Sequence, residues 1–213
     1  TFGDMDPSGT SVQSQAQIME SLDSIIEKTS KDIKEALKED IEKSDISDQE
    51  KTKALEELEV KDPLKVMSSP DGVAIEIDGD ICFSSGSIEL KKEIKLLLDK
   101  VAKLMLNPKD NRRIFVQGHT DNVPLVGNLK ERFENNFGLS TYRAVQVVTY
   151  LIEEHNVPKK RLIPEGYAGQ WPADATWIQN INGEINEEFI AKSNKSPEQK
   201  AKNRRIKIVF ASI

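Results

Sequence analysis

Apolar residues fall at Ile18, Leu22, Ile25, Ile26, Ile33, Leu37 and Ile41, with lysine and glutamate filling most positions between them. Residues three and four apart share a helix face, so this spacing predicts an amphipathic helix of about 25 residues starting at Ile18. The stretch 1–17 is rich in Gly, Ser and Gln without a period and reads as a flexible lead-in. Ser47 and Glu50 stand in capping-box spacing ahead of Leu55 and Leu58, which predicts a second, shorter helix. Residues 18–62 thus form a helical linker with two open readings. It either packs on its own domain or serves as a spacer whose heptad-like stripe pairs two copies.

From Leu64 the period changes to two. Leu64 to Met67 and Val73 to Ile77 flank Ser-Ser-Pro-Asp-Gly, in which Pro presets one dihedral and Gly supplies a positive one, so a hairpin is predicted. Ile81-Cys82-Phe83 reads as strand-like, and the serines of 84–87 offer a cap for a helix carrying Ile94, Leu97, Leu98, Val101, Leu104 and Met105 to Asn107-Pro108. Arg113 to Gln117 is the next strand, Leu139 to His155 a helix, Arg161 to Tyr167 a strand and Arg204 to Phe210 a last one. Strands alternating with helices, plus a hairpin, give an α/β fold: a two-layer sandwich with a mixed sheet covered by helices, over 63–213. An insertion at about 171–197 carries Trp171, Trp177, Ile181, Ile185 and Phe189, too apolar for a free loop, and is expected to pack on the domain.

With 213 residues, 37% hydrophobic and 31% charged, the chain has material for one core and a polar extension. A net charge of -6 removes the basic face that phosphate backbones require, so nucleic acid is excluded as a partner. Cys82 is the chain's one cysteine and makes no internal disulfide. No apolar run approaches the roughly 20 residues that cross a bilayer. The chain opens on Thr1, and a membrane anchor or signal upstream of it is left open.

Candidate chemistry concentrates in GHTDNVP at 118–124, directly past a predicted strand. With two histidines, His119 and His155, and one cysteine, no ligand spacing for zinc is present, and no metal or other cofactor is expected. A hydrolase elbow is missing and Cys82 lies in a strand pattern, so no enzyme activity is expected. What remains is Asp121 in a loop at a strand's carboxyl end, and NFGLSTYRA at 136–144, where Ser140 would cap a helix and leave Arg143 in its first turn. A cation there opposes the helix dipole, so something should compensate. Either Arg143 pairs with Asp121 or a nearby Glu and pins loop to helix, or the two hold opposite charges of one ligand.

GHTDNVP, the pattern N-x-x-L-S-x-x-R-A at 136–144, Gly166-Tyr167 with Pro172 beyond, and NRRIKI at 203–208 stand in the order found in the OmpA-like peptidoglycan-binding domain family, which residues 64–210 resemble. FSSGS at 83–87 with Leu90 is similar to that family's first strand-to-helix junction. Within the family, the approach PDGVAIEI and the long loop after GHTDNVP most resemble the periplasmic part of flagellar motor stator subunits. The resemblance implies non-covalent binding of the diaminopimelate-containing stem peptide, with Asp121 accepting from the ligand ammonium and Arg143 making a two-point bond to its carboxylate. It further implies that Leu139 and Ser140 begin a helix whose backbone donates, that Asn136 orients the loop beside Asn122, that Thr120 secures the turn and that His119 is packed. Arg204 would line the cleft or bridge to the acidic helices. The implied partners are peptidoglycan, a second copy of the chain, and an ion-channel stator partner through an upstream membrane helix, in the periplasm against the inner membrane. An outer-membrane lipoprotein tether, or a protein interaction module without wall binding, are the alternatives.

Overall fold

The computed structural model describes residues 14–60, 62–84 and 87–212, so the expected lead-in lies outside the described residues except at its end. There the expectation is corrected: helix α1 (Gln15–Lys43) starts three residues before Ile18, because the Ser14 side chain accepts from Gln17 N while Gln17 reaches back to Ser14 N. Helix α2 (Asp48–Val60) follows, with Glu50 accepting from the Ser47 backbone as its sequence spacing predicts. The hairpin β1 (Leu64–Ser69) and β2 (Gly72–Asp78) comes next. Cys82, expected in a strand, lies instead in a single helical turn, α3 (Gly79–Cys82), capped by Asp78. The thiol is buried, and burial pushes its pKa well up, leaving it inert.

The remaining elements are α4 (Lys92–Met105), β3 (Ile114–His119), α5 (Gly127–Phe133), α6 (Asn136–Glu153), β4 (Leu162–Gly166), α7 (Trp177–Ile181), α8 (Glu187–Lys192), α9 (Pro197–Asn203) and β5 (Arg205–Ala211). The serines of 84–87 do not cap α4: its N-cap is Lys91, which makes no side-chain cap bond, and residues 85 and 86 lie outside the described residues.

The described strands form one five-stranded sheet in the order β1-β2-β5-β3-β4, antiparallel except for the parallel β3–β4 pair, which makes it mixed as expected. One face carries Leu64, Ile75, Ile77, Ile206, Ile208, Phe210, Ile114 and Val116, all buried under helices. Helix α4 presents Ile94, Leu97, Leu98, Val101 and Met105 to it, and α6 presents Ala144, Val147, Val148 and Leu151. Helix α1 joins this layer: Ile18, Leu22, Ile26 and Ile33 are buried in the same core, and Lys92–Asp40 (2.8 Å) and Lys100–Asp32 (2.7 Å) pairs tie it to α4. Of the two readings of the helical segment, packing on its own domain is therefore what α1 does.

The opposite face is polar along one row of registered positions, Lys65, Glu76, Lys207, Gln117 and Glu165, whose charges alternate or hydrogen-bond across strands. The insertion covers part of this face. Arg205 donates to the Trp171 carbonyl (3.1 Å), and Asn203 donates to Ser193 O and Asn194 Oδ1 while accepting from Ala173 N. The insertion thus packs on the domain as expected, but only in part: Ile178 and Ile181 are 70% and 66% exposed.

Candidate functional site

Two glycines set the geometry. Gly118 and Gly166 are cross-strand partners on β3 and β4. A methyl group at Gly118 would overlap the Ser140 carbonyl, and one at Gly166 would overlap Thr141. The first turns of α6 therefore lie directly on the carboxyl ends of the two parallel strands. Ser140 seals this junction by donating to Phe137 O and accepting from Ala168 N, both at 3.1 Å. It is buried beneath the site and does not cap the helix, contrary to the sequence expectation; Asn135 does, accepting from Phe137 N and Gly138 N. Arg143 consequently stands two turns into α6, where the dipole of the helix end no longer bears on it.

Asp121 and Arg143 do not form an ion pair. Asp121 is engaged by Arg204, whose Nη1 donates to Oδ2 at 2.8 Å, and its Oδ1 accepts from Val123 N at 3.0 Å. Arg204 also lies 3.8 Å from Asp80, so it bridges the loop and α3 and makes no bond to the amino-terminal helices. Arg143 stacks on Phe83, 4.8 Å from guanidinium carbon to ring centre, and Nη2 donates to Ser87 O at 3.1 Å. Its Nε is buried without a partner among the described residues. Burial holds the Arg143 pKa below the usual arginine value, helped by the charge of Arg204 and opposed by those of Asp121 and Asp80.

These groups line one cleft of about 460 Å³ that contains Thr120, Asp121, Asn136, Leu139, Arg143 and Arg204. Asn136 donates to Val123 O (2.9 Å) and Asp121 O (3.4 Å), which holds the loop in the orientation expected of it. Thr120 ties the turn through its hydroxyl to Asp121 O and its amide to Ala168 O. Asn122 is outside the cleft wall; its amide donates to Asn194 of the insertion. Phe83 and Asp80 were missed from sequence, although FSSGS pointed to the first. Asn203, which clamps the insertion against the 121–122 loop, was also missed. Among the described residues no three His, Cys, Asp or Glu side chains converge as a metal site, and no helix is long and apolar enough to cross a membrane.

His119 packs as expected, 3% exposed and stacked on Tyr167 at 5.1 Å. Burial pushes its pKa well down, helped by the charges of Arg205 and Lys207 and opposed weakly by the Trp171 backbone. Below about pH 6.5 the unfolded chain gains a proton here that the folded protein refuses, so stability falls with acid by up to about 1.4 kcal/mol per pH unit. Melting temperatures from pH 7 to 5 should show this decline, and His119→Phe should flatten it.

The family model of the OmpA family matches residues 82–186. Motility protein B of Bacillus subtilis is 28% identical over 159 residues, which is 74% of this chain and 52% of that protein. The chain spans about half the length of the curated relatives it matches. Among solved structures, the cell wall anchor of the T6SS from Pseudomonas aeruginosa is 28% identical with a TM-score of 0.53, covering 76% of this chain and 96% of its own. The periplasmic domain of Helicobacter pylori MotB (residues 90–256) shares the fold, with a TM-score of 0.54 at 23% identity over 70% of this chain and 79% of its own. With the glycine-built junction and the ordered motifs of 118–208 beside them, these matches make residues 82–186 OmpA-like, and the chain similar to Motility protein B in sequence and to the MotB periplasmic domain in fold.

Proposed function

We propose that the Asp121–Arg143 cleft binds peptidoglycan without covalent chemistry, gripping the zwitterionic tip of a diaminopimelate-containing stem peptide. The observation that carries this is Arg143: a buried guanidinium whose Nε lacks a partner among the described residues, in a cleft with an aspartate that pairs elsewhere. A lone buried donor is costly unless something completes it, and a ligand carboxylate meeting the planar fork would do so. The two arginines and two aspartates around the cleft favour a ligand bearing both charges over a plain anion. Asp121 keeps acceptor capacity beyond its bonds to Arg204 and Val123, so a ligand ammonium adds to that network without dismantling it. Thr120, Asn136 and Leu139 shape the wall, Arg204 holds Asp121, and Ser140 and Asn122 support the site from behind.

The direct test compares stem peptides ending in diaminopimelate with those ending in lysine, which lacks the second carboxylate. Calorimetric titration should find the lysine peptide at least tenfold weaker; equal affinity would overturn the role given to Arg143.

The likeness to Motility protein B supports a wider reading, in which 63–213 is the wall-binding domain and 18–62 the linker of a flagellar stator subunit. The domain then sits in the periplasm as a homodimer, joined upstream to an inner-membrane helix and an ion-channel partner. A cell wall anchor from the T6SS among the similar structures favours one second reading, the same tether serving another membrane-attached machine. Crosslinking in cells to the channel subunit of the motor separates the two.

A further inference from the structure

A second cleft opens on the other side of the same loop. Three consecutive residues divide the work: Thr120 and Asp121 line the cleft described above, while His119 lines this one. Its cavity of about 240 Å³ lies between the β1–β2 turn and the start of the insertion. Tyr167, Trp171 and Trp177 supply aromatic surface, with Tyr167 edge-on to Trp171 and the two indoles stacked 5.8 Å apart. Trp177 is 41% exposed at the rim.

The polar groups narrow the ligand class. Lys207, half-buried at the cleft floor, makes no hydrogen bond or ion pair among the described residues. Burial and the neighbouring Arg205 lower its pKa, Glu76 and Asp71 opposing. His119 is nearly fully buried in the wall, its ring stacked on Tyr167. Gln117, by contrast, is committed to Glu165 and Tyr167. Asp71 stands at the mouth as an acceptor. A cationic ligand meets Lys207, and a purely apolar one leaves Lys207 unpaired at the cost of its desolvation. A phosphorylated ligand finds one cation in a chain of net charge -6. A neutral ring with one C–H face and a polar edge satisfies both the indoles and the ammonium, and the cavity has room for about one such ring, being below the roughly 300 Å³ of larger ligand sites.

We propose that this cleft is a carbohydrate subsite taking an acetamido sugar of a glycan strand, with the sugar's C–H face on the Trp171–Trp177 surface and its acetamido oxygen accepting from Lys207. The proposal deepens the wall-binding reading and rests on it: one polymer, with sugar and peptide on opposite sides of the 119–121 segment, would occupy both clefts.

Trp171 and Trp177 are the chain's two tryptophans, so intrinsic tryptophan emission reports on this cleft alone. The test is a fluorescence titration of the whole chain with peptide-free N-acetylglucosamine tetramer, which cannot engage Asp121 or Arg143 through a stem peptide. A saturable change with a midpoint on the order of 1 mM is expected. Lys207→Met and Trp177→Ala should each weaken it at least fivefold, and Arg143→Met should leave it unaltered. Trp177 is exposed, so its removal tests the site even if Lys207→Met impairs folding. No saturable change up to about 20 mM, or the same midpoint in both cleft variants, overturns the subsite. Failure of the peptide reading would show differently, as wall binding that survives Arg143→Met while this titration stands.

Discussion

Arg143→Met and Asp121→Asn should each weaken co-sedimentation with purified peptidoglycan by about 10- to 150-fold, the range that follows from 1.5–3 kcal/mol per charge-assisted contact. Both substitutions spare the fold. Methionine keeps the apolar stem of Arg143 against Phe83, and asparagine keeps an acceptor for Val123 N. Arg204 retains Asp80 when Asp121 loses its charge, and a pair of which Arg204 is a third exposed contributes at most about 1 kcal/mol. The melting temperature should therefore move by only a few degrees. A large fall in melting temperature with undiminished wall binding would assign these residues to the scaffold and end the proposed function. The contacts are individually weak, and a polymer offering many copies of the ligand would raise the holding strength without any new bond.

The second large effect is expected at Gly118. Alanine there places a methyl group into the Ser140 carbonyl, which is backbone and cannot rotate away. Helix α6 must back off from β3, breaking the buried contact of Ser140 with Ala168. A loss of more than about 3 kcal/mol is expected, as for the severe overpacking class, with the melting temperature lowered by roughly 6–12 °C. Wall binding by the fraction still folded should fall as well, because Arg143 rides on the displaced helix. Gly127→Ala is the matched control: its added methyl meets nothing, and only its φ of +54° is unfavourable, for a cost of about 1 kcal/mol. Equal melting of the two variants would refute the role given to the glycine junction.

The long periodic segments were legible because burial imposes their period: α1, α4 and α6 carry their apolar residues at helical spacing, and β2 and β5 alternate. Helix α3 was not, since four residues are too few to show a period and Ile81-Cys82-Phe83 is apolar enough to pass for a strand. The start of α6 was misplaced because 135–140 offers three capping side chains, Asn135, Asn136 and Ser140. Asn135 wins by reaching two backbone amides while Ser140 is engaged elsewhere, and that shift of a turn and more removed the dipole argument for Arg143. The motifs located the cleft, but the partner of Asp121 is 83 residues away at Arg204, brought there by strand order, which no local pattern encodes.

That strand order bears on how the protein comes into being. β5, the last of the described strands, lies between β2 and β3, so the hairpin on one side and the parallel pair on the other share no ladder until it arrives. A nascent chain leaving the ribosome would hold two unjoined half-sheets with open edges, and assembly would wait on β5, with the slowness typical of long-range pairing. A stop codon ahead of Arg205 would accordingly cost the whole domain rather than a frayed end.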